Sequence, residues 1–170
     1  MIIAGIDPGF TGAIAFLDIA NLNGFEGVWR ITSAAIATAD MPTLSVGNKK
    51  KSREELDLRT IVSLLRPCSY AFLEKAQPMP GQGISSTSRY MASWGMLQGV
   101  LATLAVPYTL VHPVVWKSEM MAGMPKEKSA SILRVSQLFP EVELPRKKDH
   151  GKADAILIAC WGLKQLINVK

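Results

Sequence analysis

Three carboxylates lie far apart in this sequence, and each stands where a predicted strand or helix puts it at the rim of an apolar layer. Asp7 closes the uncharged run Ile2 to Ile6. Glu74 closes the short run Ser69-Tyr-Ala-Phe-Leu-Glu74. Asp154 falls on the flank of the apolar stripe Ala153, Ile156, Leu157, Cys160, Leu163 and Ile167, in a helix predicted from about Asp149 to Ile167 at about 100° per residue. A charge so placed is expensive unless a cation or hydrogen bonds compensate it. Three together repel one another, so the set requires raised pKa values or a divalent cation. Oxygen ligands with at most one imidazole suit Mg²⁺ or Mn²⁺. Two such ions roughly 4 Å apart position a water for attack on phosphorus and stabilise the departing oxygen, which is the chemistry of phosphodiester hydrolysis.

Each acid also has an ordinary explanation. Asp7 reads equally as a solvated turn residue, Glu74 as the partner of Lys75 in a weak surface pair, and acids so distant in sequence need never meet. His150 lies one turn before Asp154 and about 40° from it around the helix, so both can look along the sheet edge. Asp149 has two roles open: as N-cap it can bond the first turn, or it can swing toward the acids.

The elements that must position these groups form an α/β pattern. Ile2 to Ile6 and Ala13 to Leu17 flank Asp-Pro-Gly-Phe-Thr-Gly, a hairpin signature. Phe25 to Ile36 supplies a third strand, with Val28, Trp29 and Ile31 as candidates for burial. Thr38 to Ser52, polar, basic and broken by Pro42 and Gly47, reads as a loop. Arg53 to Leu65 has helical spacing, with Ser52 as N-cap and Glu55 three residues on. The Pro- and Gly-rich stretch Gln77 to Gly83 is a loop beside Glu74. A long helix then runs from Ser85 or Ser86 to about Ala105, and its apolar residues suit either a central helix or half of a dimer interface. Pro107 to Val111 is a strand followed by Pro113-Val-Val-Trp-Lys117, and Lys126 to Phe139 has helical spacing before the final helix.

Length and composition fit one domain spanning residues 1–170, with 48% hydrophobic and 19% charged residues. No run of about eighteen apolar residues suggests a membrane span, and no targeting segment is visible, so a cytoplasmic protein is expected. Cys68 and Cys160 are too few and too distant for a disulfide framework or zinc site and read as small core residues. The net charge of +5 suits a polyanionic partner. Its dense runs are Lys49-Lys50-Lys51-Ser-Arg53 and Arg146-Lys147-Lys148, the second directly before the acidic and histidine cluster.

Gly5-Ile-Asp-Pro-Gly-Phe-Thr-Gly12, Phe72-Leu-Glu74 and Asp149-His-Gly-Lys-Ala-Asp-Ala-Ile-Leu-Ile-Ala159 together resemble the RuvC-type Holliday junction resolvases, most closely their phage, bacterial and organellar variants. Trp94-Gly-Met-Leu-Gln-Gly99 resembles that family's dimerising helix, and Pro113-Val-Val-Trp-Lys117 its Pro-x-x-(apolar)-Lys segment. The resemblance implies a ribonuclease H-like fold, a mixed five-stranded sheet with helices on both faces. It further implies a homodimer that resolves a four-way DNA junction by two symmetric cuts, with two Mg²⁺ or Mn²⁺ ions per site and no nucleotide cofactor. Asp7, Glu74 and Asp154 match the family's first, second and last acids. Gly151 stands where members often carry an acid or histidine, so His150 or Asp149 must supply that group. Lys117 is the candidate for the scissile phosphate, with Arg89, Lys147 and Lys148 as further DNA contacts and Met79 as a wedge between base pairs.

Two rivals share the fold. The first hairpin is also similar to the phosphate loop of sugar kinases and actin-like ATPases, but 170 residues leave no room for their second lobe. A nuclease acting on RNA-DNA hybrids or other branched DNA keeps the same acids. A noncatalytic junction-binding protein needs no convergence of acids at all.

Overall fold

The structure is a computed structural model that describes residues 1–21, 23–25, 28–30, 35–48, 51–78, 81, 83–127 and 129–168. Strands β1 (Ile2–Asp7) and β2 (Ala13–Asp18) form the expected antiparallel hairpin, with Ile6 opposite Ile14. Two short strands follow, β3 (Asn23–Phe25) and β4 (Val28–Arg30), paired only with each other. The third strand of the main sheet is β5 (Ile36–Asp40), antiparallel to β2. The expected strand from Phe25 to Ile36 is therefore corrected to one that begins at Ile36, and the burial proposed for Val28, Trp29 and Ile31 lies outside the described side chains.

The polar stretch read as a loop is a second hairpin, β6 (Thr43–Asn48) and β7 (Lys51–Leu56), which stands apart from the main sheet. Its strands carry few core residues, so no alternation marked them; Leu56, at the end, is buried. The helix expected from Arg53 consequently starts later, as α1 (Leu58–Leu65). Asp57 is its N-cap, accepting from the Thr60 amide at 3.2 Å and the Thr60 hydroxyl at 2.6 Å. Ser52 and Glu55 mimicked a capping box inside a strand.

The chain continues through β8 (Cys68–Glu74), α2 (Ile84–Thr103), β9 (Tyr108–Val111), α3 (Pro113–Met120), α4 (Ala130–Leu138) and α5 (His150–Asn168). The main sheet has the order β5-β2-β1-β8-β9, with β8 parallel to β1 and β9 parallel to β8. It is mixed and five-stranded, with helices on both faces, as expected. Alternate residues of each strand enter opposite cores. Ile3, Ala15, Leu17 and Phe72 pack with Trp116, Val135 and the α5 residues Ile156, Leu157 and Cys160. Ala4, Ile6, Ile14 and Leu73 pack with Ile61 and Leu65 of α1 and Leu97 and Leu101 of α2. Cys68 and Cys160 are buried and unpaired by disulfide. Among the described residues no helix is long and apolar enough to cross a membrane.

Two close approaches seat α5. A Cβ on Gly5 would lie 2.2 Å from the Ala155 carbonyl oxygen and 2.6 Å from the Ala159 amide nitrogen. A Cβ on Gly151 would lie 2.7 Å from the Thr11 carbonyl oxygen. The helix thus rests directly on the backbone of β1 and of its turn. Because backbone atoms cannot step aside as a flexible side chain can, Gly5→Ala should destabilise the fold by about 2–3 kcal/mol, read as a lower midpoint in urea unfolding. An unchanged midpoint would show that α5 tolerates a wider spacing.

Candidate active site

The strand pairing brings Asp7 and Glu74 together. β1 and β8 are parallel neighbours with Ile6 beside Leu73, so the next residues, Asp7 and Glu74, sit at the same level on strands about 4.8 Å apart. Both follow the parity of Gly5, Ile3 and Phe72, which face α5, so both carboxylates project to that side. There the contact between Gly5 and Ala155 sets the neighbouring Asp154 over the strand ends.

The electrostatics agree with this convergence. Asp7 is held well above the ordinary carboxylate range, first by burial, then by the charges of Asp154 and Glu74, with Lys117 opposing them. Burial also raises Glu74, countered by the hydrogen bond from Trp116 and by the Lys117 ammonium, with Asp154 adding to the rise. Asp154 is raised by burial and eased by Lys117, by a hydrogen bond from Ser131 and by His150. Lys117 therefore acts on all three acids. The Tyr90 phenol, in α2 beside Gly9, is pushed up to about 12 by burial and by the charges of Glu74 and Asp7.

Glu74 is engaged by two neighbouring donors. Trp116 Nε1 donates to Glu74 Oε2 at 2.8 Å, and Trp94 Nε1 donates to the Glu74 carbonyl oxygen at 3.1 Å. Among the described residues no three His, Cys, Asp or Glu side chains are gathered closely enough to grip one ion as they stand. The set nevertheless fits a hard divalent cation in kind: three oxygen donors on one face, with mutual repulsion that one ammonium opposes. Asp7, Glu74 and Asp154 are the candidate ligands. A cleft of about 930 Å³ opens beside Asp154, lined by it with Lys117, Ser131, His150, Val114 and Met121; Asp7 and Glu74 are not part of its wall.

The remaining sequence candidates divide. His150 begins α5 and lines the cleft. Asp149 takes neither of its two open roles: its carboxylate turns back to Arg146, and is bonded there instead of to the first turn of α5 or among the acids. It is 1% exposed, and its carboxylate accepts from the Arg146 amide at 2.8 Å and from Arg146 Nε at 2.9 Å, which also lowers its pKa. Arg146 reaches on to Asp40 at 2.9 Å, with Lys148 and Lys152 near the same carboxylate. Lys147 is exposed in the turn before α5. Arg89 lies over the Phe10 ring at 4.7 Å and donates to the Glu54 carbonyl oxygen at 2.7 Å, tying α2 to the outer hairpin. Met79 lies outside the described residues. His112, taken as structural, caps α3 through the Val114 amide and meets Gln77 at 2.6 Å. Ser131, Trp116 and Trp94 are partners of the acids that the sequence does not mark, since serine and tryptophan at helical spacing carry no signal of what they bond.

The sheet order with helices on both faces is the α/β, ribonuclease H-like fold that RuvC has. Two solved structures of Thermus thermophilus RuvC are similar to the chain. One, in complex with a Holliday junction substrate, has a TM-score of 0.59 at 17% identity and covers 97% of this chain and 96% of its own. The other has a TM-score of 0.56 at 16% identity, covering 98% of each. In sequence the chain is 32% identical over 96 residues to the chloroplastic Holliday junction resolvase MOC1 of Chlamydomonas reinhardtii. That match covers 55% of this chain and 11% of the relative's length. No family model matches the chain.

Folding raises the Asp7 pKa above its ordinary value of 3.8, so the folded state binds the proton more tightly than the unfolded one. The penalty is full above the folded pKa and disappears as pH falls through it toward the unfolded value. Asp7→Asn should therefore raise the melting temperature by a few degrees at neutral pH in chelator, at roughly 2–4 °C per kcal/mol. That gain should vanish near pH 3. A lower melting temperature at pH 7 would mean that the charged Asp7 carries no net penalty from burial and repulsion in the folded state.

Proposed function

We propose that this chain is a metal-dependent endonuclease that resolves four-way DNA junctions by two symmetric phosphodiester cuts. The observation that supports it most is the convergence of Asp7, Glu74 and Asp154 on one face of the sheet at the ends of parallel strands. The fold and the sequence similarity to a named junction resolvase support the substrate class. We read residues 1–170 as one nuclease domain acting on cytoplasmic DNA or in a phage-infected cell.

Asp7, Glu74 and Asp154 would hold the ions, Mg²⁺ or Mn²⁺ and two per site, with His150 at the cleft wall. Divalent cations bound there lower the pKa of water and neutralise charge that builds on the phosphate. Lys117, exposed beside the acids, draws the scissile phosphate in by charge. Lys147 and Lys148 extend positive charge along the start of α5, where they steer the backbone without reading sequence. Asp149 acts through Arg146, fixing the entry to α5 and hence the level of His150 and Asp154.

A second copy completes the symmetry of the cuts. The outer side of α2 offers Gly95 and Gly99, where an added methyl would meet nothing within 4 Å, and Met96 is 47% exposed beside them. These residues suit the self-complementary contact of a two-fold dimer.

The test uses a labelled four-way junction, a linear duplex and an RNA-DNA hybrid, each with Mg²⁺ or Mn²⁺. Paired nicks at symmetric positions in the junction are expected, with the linear duplex intact. Asp7→Asn, Glu74→Gln and Asp154→Asn should each reduce cutting to background while junction binding in chelator persists. Cleavage of the hybrid alone would move the assignment to an RNA-directed nuclease, and binding without product under every ion would make the protein a noncatalytic binder.

A further inference from the structure

We infer that Trp116 is a positioning residue that sets which oxygen of Glu74 faces the ion and where the Lys117 ammonium stands. The inference rests on the reading of Glu74 as an ion ligand. Trp116 lies in the first turns of α3, which begins directly after β9 with Pro113 in its first turn and His112 as cap. That short connection drives the indole back beneath the strand ends, where it is fully buried among Phe72, Val111 and Met120.

Three contacts meet at this residue or its neighbour. Its N–H donates to Glu74 Oε2 at 2.8 Å. An indole nitrogen can only donate, and a bond from it to a carboxylate is charge-assisted and strong away from water. The face of the same ring carries Lys117 Nζ at 5.0 Å from its centre, a cation–π distance. From the opposite side of the sheet, Trp94 of α2 donates to the Glu74 main-chain carbonyl at 3.1 Å. Glu74 is thus fixed at its backbone by one tryptophan and at one carboxylate oxygen by another.

With Oε2 occupied, Oε1 is the oxygen left for an ion, and Glu74 is held as a ligand through one oxygen. A strictly octahedral ion such as Mg²⁺ is more sensitive to that geometry than Mn²⁺ or Ca²⁺. The ordinary alternative is a core tryptophan whose N–H has found the nearest acceptor. Both accounts expect lost stability when the ring is cut down, so the test must keep the ring and remove the proton.

The experiment replaces Trp116 in the full chain by its benzothienyl analogue, in which sulfur stands for N–H, with Trp116→Phe as a second variant. The melting temperature is followed against Mg²⁺ and Mn²⁺ concentration without DNA, and cleavage is then titrated with the same ions. The expected result is a Mg²⁺ midpoint raised about ten- to a hundredfold in both assays, the range seen when a partner of a metal ligand is removed. The Mn²⁺ midpoint should move less, and junction affinity of the benzothienyl variant in chelator, whose ring still faces Lys117, should stay within about twofold. A benzothienyl variant with the wild-type Mg²⁺ midpoint, when the wild type itself responds to the ion, overturns the role of Trp116 and leaves Glu74 as a ligand. A wild type whose melting temperature ignores both ions overturns the ligand set, and the inference with it.

Discussion

A hydrogen atom where any other residue has a side chain decides how near α5 comes to the sheet. At Gly5 the Ala155 carbonyl and the Ala159 amide occupy the space that a Cβ would need. Because the helix rests on β1 itself, the side chain just before Ala155 belongs to the strand ends and not to the solvent above them. Asp154 owes its place to that contact. The chain thereby gathers three carboxylates whose repulsion it must offset from elsewhere: from burial of Ile156, Leu157 and Cys160 behind them, and from Lys117 beside them. Stability given up at such a cluster is recovered in the core that surrounds it.

The layers on either side of the sheet contribute differently. The α5 face supplies acids and their immediate partners, since Trp116, Ser131 and His150 all come from helices packed there. The α1 and α2 face supplies apolar bulk, and it reaches the acids at two points, Trp94 and Tyr90. On the outer side of α2, Gly95, Met96 and Gly99 are exposed.

Much of this was legible in the residues. The opening hairpin, the parallel strand ending in Glu74 and the final helix all carry strong apolar patterns, because each is buried against a core that demands them. The outer hairpin from Thr43 to Leu56 was not, because strands with mostly exposed faces need no alternation, and Ser52 with Glu55 imitated a helix start. The acids Asp7, Glu74 and Asp154 could be named because they interrupt apolar elements at their ends. Asp149 was expected to cap the helix or to ligate and does neither, because its bond runs backward to Arg146, a partner that spacing does not mark. Trp116 was invisible as more than core, because sequence spacing records burial but not the direction of a single N–H.

The outer hairpin leaves the fold at Pro42 and returns at Asp57, whose amide donates to the Pro42 carbonyl at 2.9 Å. The two ends are thus clasped at a narrow neck. Within that ribbon Leu56 is buried in the core and the Glu54 carbonyl accepts from Arg89, so its base is tied to the fold while most of its other described residues face solvent. Change is therefore cheapest in the exposed residues away from that base, where the ribbon's outline can vary while the acidic centre stays fixed.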